Sequence, residues 1–404
     1  MRVAFFTPYL PYPLDTGGRI RSYHLVRALA SRFEVDLFTV HHGNDGPSPS
    51  EVAHLEAFCR RVVSYPIYKA WSRWARLTVL LGPLPRSVDY FCSPEALRQA
   101  ELDLQEGKYD LVIADEICMT PFAELARTQP RLVLRQKVDH LHYRDMAQMR
   151  PWGIEKWLDL IESVKLARYE RAKMPQFHGY LACSVEDAGV IGRDAPDVPA
   201  LVIPNGADLS AFVPPECPAR QEKGLLFVGS MNYYPNVDAI LYFFDKMYPA
   251  IRQVIPEIQV QVVGHSPAPE VLQLTSHPGV RVTGTVPDVR PYYCEAAVFL
   301  VPLRLGRGTR LKIIEAMAMG VPVVSTSIGA EGLDVHDGED ILIANEPEQF
   351  VEAVLRLLSD SVLWSRLAEG GRTLAQRYDW TELTDPFADL ALQVVAQLHP
   401  LPES

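Results

Sequence analysis

Arg304, Arg307, Arg310 and Lys312 stand close together around Gly306 and Gly308, and Thr309 and Glu315 complete the segment. Glycines at such spacing let backbone amides approach a ligand that side chains would hold away. A helix predicted to start near Thr309 or Arg310 turns unpaired N–H groups and its positive dipole end toward the same loop, which suits a phosphate. Arg310 and Lys312 would add charge-assisted hydrogen bonds, each worth about 1.5–3 kcal/mol. Glu315, in the second turn of that helix, is placed to accept hydrogen bonds from vicinal hydroxyls such as those of a ribose. Gly306, Gly308, Thr309, Arg310, Lys312 and Glu315 are therefore the leading candidates for binding a phosphorylated ligand.

Other segments carry weaker signals. The loop Thr7–Asp15 leads into Gly17-Gly18-Arg19, either a second ligand-contacting helix start or a simple turn ahead of a helix. His140 and His142 follow a short apolar strand, and His140 is a candidate site residue; a surface imidazole is the alternative. Trp71, Trp74, Leu77 and Leu81 share helical spacing beside Lys69, Arg73 and Arg76. That pattern fits either an anionic membrane interface or a helix burying its tryptophans. The six cysteines form no C-x-x-C pair, so reduced thiols are expected and no metal site is assigned. The chain has no D-x-D, no P-loop and no G-x-G-x-x-G after its first strand.

The elements that must position these residues are legible as short apolar runs alternating with helical stretches. Val3–Phe6, Val35–Val40, Val62–Ile67, Leu111–Ala114, Leu132–Leu134 and Tyr180–Cys183 read as strands of a first domain. Leu225–Val228, Ile258–Val263, Val280–Val282, Val298–Val301, Val321–Ser325 and Ile341–Ile343 read as strands of a second. Continuous rather than alternating apolar runs belong to parallel sheets covered on both faces. The expected class is α/β, with two Rossmann-like doubly wound domains and a ligand cleft between them. The expected organisation is a first domain over 1–206, a proline-rich linker over 207–223 and a second domain over 224–378. A closing helix over 379–404 is expected to pack back on the first domain.

The net charge of −11 falls on the second half of the chain and argues against nucleic-acid binding. The N-terminal apolar run is too short for a secretory leader and no run is long enough to span a membrane, so a cytoplasmic location is expected.

These motifs together resemble the family 4 glycosyltransferases of the GT-B fold, the retaining group that builds bacterial surface glycans and glycolipids. The resemblance rests on Gly17-Gly18, on Ser184 with Glu186 and Asp187, on Val202–Asp208, on Leu226-Phe227-Val228-Gly229-Ser230 and on Gly308–Val324. It implies a nucleotide diphosphate sugar, UDP- or GDP-linked, held mainly by the second domain, and a glycan or lipid-linked acceptor on the side of the first domain, 1–206. Glu315 matches the second glutamate of the family's E-x7-E motif, which holds the ribose; Gly229 and Ser230 open the site, and Val286 and Pro287 lie where the backbone meets the base. A histidine near His140 contacts the donor sugar in many relatives. No cofactor and no metal are implied. Retaining members use front-face attack, the leaving phosphate taking the acceptor proton.

Two departures stand out. Arg307 occupies the position of the motif's first glutamate, and Ser230–Asn236 lacks the arginine and lysine that neutralise the diphosphate in many members. Arg310 and Lys312 are expected to take over that role. A sugar-nucleotide epimerase or hydrolase, or a catalytically degenerate sugar-nucleotide or glycan-binding scaffold, are the alternatives. Contact with the inner face of the cytoplasmic membrane would run through Lys69–Leu81.

Overall fold

The computed structural model describes residues 1–43, 46–68, 82–212, 222–306 and 310–398. The chain divides into two compact units, Met1–Ile203 with Thr384–Ser404, and Pro204–Leu383.

The first unit is built on a parallel sheet of β1 (Arg2–Phe6), β2 (Glu34–His42), β3 (Arg61–Ile67), β4 (Leu111–Asp115), β5 (Arg131–Arg135), β6 (Gly179–Ala182) and β7 (Ala200–Val202). Its order is β3-β2-β1-β4-β5-β6-β7. Val3 is paired with Val35 on one side and Leu111 on the other, and Val3 to Phe6 are all fully buried. Every position of such a strand is covered, so the run is apolar throughout and does not alternate. β7 was not expected: three residues between Pro199 and Ile203 at the sheet edge are too few to form a visible pattern. Ser184 closes the helix Val185–Asp194 from its N-terminal end, its hydroxyl accepting from the Asp187 N–H at 3.1 Å.

The second unit repeats the plan with β8 (Gly224–Val228), β9 (Gln259–Val263), β10 (Val280–Val282), β11 (Val298–Val301), β12 (Val323–Ser325) and β13 (Leu342–Ile343). The order is β10-β9-β8-β11-β12-β13, again parallel. All six strands match apolar runs in the sequence. Two helices follow β8, Tyr234–Lys246 and Tyr248–Val254, separate because Pro249 is tolerated in a first turn but not inside a helix.

Both sheets begin in the middle and wind outward in both directions. The winding reverses between β1 and β4 in one unit and between β8 and β11 in the other. Loops leaving the C-terminal ends of those strands diverge there and leave a crevice, the usual ligand position of a doubly wound sheet.

The stretch after Pro204 is more ordered than its prolines suggest. The Ala207 N–H donates to the Tyr378 carbonyl at 2.9 Å and the Trp380 N–H donates to the Ala207 carbonyl at 3.3 Å. A Cβ on Gly206 would sit 2.5 Å from the Tyr378 oxygen, so the motif Asn205-Gly206-Ala207-Asp208 is a tight backbone seam. Residues 213–221 lie outside the described residues, as does the aromatic and basic stretch Lys69–Leu81. The helix Trp380–Leu398 passes from the second unit into the first, where Asp389 pairs with Arg32 at 2.9 Å.

Cys59, Cys92, Cys118 and Cys183 are free thiols, but Cys294 is disulfide-bonded. That corrects the expectation of reduced thiols throughout, because spacing along the chain does not report distance in space. No helix among the described residues is long and apolar enough to cross a membrane.

Candidate functional site

The C-terminal edge of the second sheet gathers the residues singled out by charge and spacing. β8 ends at Val228 and runs into Gly229, whose N–H donates to the Val263 carbonyl at 2.9 Å. A Cβ on Gly264 would lie 1.7 Å from the Gly229 oxygen, and one on Gly229 would lie 2.8 Å from Asn236 Nδ2. The glycines therefore allow the loops after β8 and β9 to pass in backbone contact. Ser230 Oγ donates to Asn232 Oδ1 at 2.6 Å and lies 2.9 Å from His265 Nε2.

Across the crevice, the chain after β11 carries Gly306 at φ 109°, in the region that favours glycine. A Cβ there would lie 2.8 Å from Arg310 Nη2, so the missing side chain gives the guanidinium its place against the loop. Arg310 caps the helix Leu311–Ala318. Its burial pulls the guanidinium below its ordinary pKa, and Tyr233 and Glu331 oppose that shift. Gly308, Thr309 and Arg307 lie outside the described residues.

Lys312 and Glu315 share one face of this helix, three residues apart. The Lys312 ammonium donates to Asn236 Oδ1 at 2.9 Å and sits 4.6 Å from the Phe227 ring centroid. Burial, reinforced by Arg310 and opposed by Glu315, lowers its pKa to about 7. The Glu315 carboxylate accepts from the Tyr293 hydroxyl at 3.1 Å, and burial raises its pKa to about 6 against the opposing pull of Tyr293 and Lys312. A buried amine and a buried carboxyl, each shifted toward its neutral form, together make a site in which an anionic, hydroxyl-bearing ligand would restore charge.

Arg304 takes no part in this arrangement. It pairs with Asp238 at 2.6 Å and lies 4.1 Å over the Tyr242 ring, so one of the four clustered cations is already committed. Val286 and Pro287 follow β10, two strands from β8, with Val286 packed on the core of the unit. Asn236 and His265 were not anticipated. Asn236 lies in the segment that lacks the usual cations, and His265 stands one residue, Gly264, beyond an apolar strand, which was the available signal.

Residues 222–360 match the family model described as glycosyl transferases group 1. The matched residues all lie in the second unit. Over 360 residues the chain is 22% identical to an uncharacterized 44.6 kDa protein in the cps region of Klebsiella pneumoniae, covering 85% of this chain and 88% of that one. It is 29% identical to the phosphatidyl-myo-inositol mannosyltransferase of Mycobacterium tuberculosis over 197 residues, 45% of this chain and about half, 51%, of that protein. In fold it is similar to HepE of Anabaena, solved in complex with UDP and glucose, with a TM-score of 0.66 and 14% identity, covering 97% of this chain and 100% of that one. The expected architecture, two doubly wound units of the GT-B type, is the fold found.

The other candidates lie in the first unit, outside the residues that match the family model. Gly17 and Gly18 open the helix Gly17–Ala30, which Thr16 caps. Gly18 faces Gln136, whose Oε1 would lie 3.2 Å from an added Cβ. His140 stands in the helix Asp139–Met149, and its Nδ1 lies 2.5 Å from Glu170 Oε2. Glu170 also pairs with the fully buried Arg135 at 2.8 Å, so His140 is tied into an internal ionic network. Close to Gly18, Asp115 is fully buried and accepts from Ser22 and Thr7, and burial raises its pKa. Asp115 went unnoticed because it closes an apolar strand as its last residue.

Proposed function

We propose that the chain transfers a sugar from a UDP- or GDP-linked nucleotide diphosphate sugar to a glycan or lipid-linked acceptor, with retention and without a metal ion. The observation that carries this reading is the set Arg310, Lys312 and Glu315 at the β8–β11 crevice, within the residues that match the group 1 model. Breaking the anomeric C–O bond leaves negative charge on the departing diphosphate. Cations fixed beside it stabilise that charge as it grows, more in the transition state than in the ground state. Lys312, poised near its pKa, becomes fully charged as the diphosphate approaches. The Glu315 carboxylate accepts from ribose hydroxyls, and Gly229 and Gly306 keep side chains out of the path. No enzymic nucleophile is assigned; the leaving phosphate takes the acceptor proton.

The mannosyltransferase and UDP-complexed relatives support a sugar-nucleotide donor, and the Klebsiella relative's cps region is consistent with a surface-glycan acceptor. The absence of D-x-D supports metal independence. We place the enzyme in the cytoplasm, working at the inner face of the membrane when its acceptor is lipid-linked. Incubation with a panel of UDP-, GDP- and ADP-sugars, with and without membrane lipid extract and with a chelator present, tests the reading. Acceptor-dependent nucleotide release that survives chelation is expected. Release without an acceptor would mean a hydrolase, and binding without turnover a scaffold.

A further inference from the structure

The helix Ile154–Lys173 is inside out along its N-terminal half. Its inward face there carries Asp159, Glu162 and Ser163, all buried, while Ile154, Trp157, Ile161 and Val164 stay 79%, 56%, 40% and 51% exposed. Trp152, just ahead of the helix, is 78% exposed. An amphipathic helix of a globular unit normally turns its apolar stripe to the core and its charges to water.

The polar side holds this inversion in place. Glu162 accepts from the backbone N–H groups of Arg86 and Ser87, each at 2.8 Å, and from the Ser87 hydroxyl at the same distance. Asp159 pairs with Arg150 at 2.7 Å and with Arg86 at 3.6 Å, and Ser163 Oγ donates to the His140 carbonyl at 2.7 Å. Rotating the helix to hide its apolar side would forfeit all of these partners at once, and buried polar groups are costly to strand. The apolar side is therefore fixed facing outward.

Pattern and area decide the occupant. Steps of three, four and three residues from Ile154 to Val164 are the a and d positions of a heptad, a narrow seam that suits packing against one other helix. A helix lying in a lipid surface instead has a broad apolar face rimmed by lysines and arginines. Here the neighbouring cations are engaged: Lys156 lies 4.7 Å over the Trp152 ring and donates to the Arg150 carbonyl at 3.3 Å, Arg150 pairs with Asp159, and Lys165 donates to the Leu84 carbonyl at 3.0 Å. Two tryptophans and three branched aliphatic residues exposed to this degree present on the order of 600 Å² of apolar surface. A standard interface takes about 800 Å² from each partner, and the half-buried Leu158 and Leu160 flank the seam. The seam also complements itself. Turned antiparallel about a twofold axis at the level of Asp159, Trp157 meets Ile161 of the other copy, and Ile154 meets Val164.

We propose that two copies of this chain pair through the seam Ile154, Trp157, Ile161 and Val164 as an antiparallel, twofold-symmetric dimer. The pairing does not depend on the transferase reading. The test is sedimentation equilibrium of the full chain over a wide concentration range. A reversible rise in mass to twice that of the chain is expected. Trp157→Glu and Ile161→Lys each set a charge in the seam and are expected to raise the dimer dissociation constant by about a hundredfold. Val362→Glu, at an apolar residue of the second unit that is 77% exposed, is expected to leave the dimer unchanged. All three positions are exposed, and far-UV circular dichroism checks that each variant keeps its fold. A native chain that stays monomeric throughout, or a dimer that Trp157→Glu and Ile161→Lys leave intact, would overturn the proposal. So would a monomeric native chain that floats with phosphatidylglycerol–phosphatidylethanolamine vesicles and loses them in Trp157→Glu, which would assign the seam to a lipid surface.

Discussion

At the crevice edge of the second sheet the side chains that matter are Arg310, Lys312 and Glu315; at the same edge of the first they are Asp115, Glu116 and Lys137. Both sheets follow one winding order and open at the same topological point. Burial acts toward the uncharged form in both places, but the mix of groups differs. At the second edge it lowers Arg310 and Lys312 and raises Glu315; at the first it raises Asp115 and Glu116, while Glu116 keeps Lys137 charged. The fold therefore supplies a crevice twice, and the residues placed in it decide what each crevice attracts. A desolvated cation gains most from an anion, and a desolvated carboxylate gains most from a hydroxyl donor.

The contrast can be broken most directly at Arg310. Arg310→Ala is expected to weaken nucleoside diphosphate binding by about tenfold to a hundredfold, and nucleoside monophosphate binding much less, by calorimetric titration. Equal losses for the two ligands would mean that this edge does not recognise the second phosphate. Glu315→Gln is expected to weaken both ligands alike, by roughly tenfold, because the ribose is common to them. A loss confined to the diphosphate would assign Glu315 to the phosphates instead.

The pH dependence sharpens the comparison further. Lys312, at about 7 in the folded protein, regains its proton when a diphosphate binds, so binding takes up a proton. Affinity should fall as pH rises above 7, by at most about tenfold per pH unit, and Lys312→Met should remove that component of the slope. The smallest effect concerns stability. The Glu116 carboxyl is raised in the folded state from 4.5 to about 7, so its contribution is fully present below the unfolded value and is lost as pH rises through about 7. Lys312 has the opposite sign: its folded value is depressed, so its contribution is present above the unfolded value and is lost as pH falls through about 7. Melting curves from pH 5 to 8 should lose less stability on the alkaline side in Glu116→Gln than in the native chain. A variant with an unchanged profile would show that Glu116 does not carry the burial inferred for it.

Much of the fold was legible because a strand covered on both faces must be apolar at each step. Val3–Phe6 and Val298–Val301 announce themselves in this way. β7 did not, being three residues at an edge, and the helix holding His140 did not, because Asp139–Met149 is largely polar and shows no apolar period. The phosphate-site candidates were visible as charge and glycine clustered in one loop. What stayed hidden was which of those charges were already engaged. Arg304 belongs to Asp238, sixty-six positions away, and Lys312 rests on Asn236, seventy-six positions away. The first sheet's acidic edge was missed for a related reason: Leu111–Asp115 is an apolar run whose last residue happens to be ionisable, and Glu116 comes next.

Residue type and short-range spacing are properties of the chain itself, and they were enough to give two parallel sheets, a glycine-and-cation loop and a helix behind it. Pairing and desolvation are properties of neighbours brought in from elsewhere. They alone committed Arg304 to Asp238, tied His140 to Glu170 and left one oxygen of Glu116 without a hydrogen bond among the described residues. The strength of a charge depends on what has replaced the water around it, and that is settled only when distant segments meet.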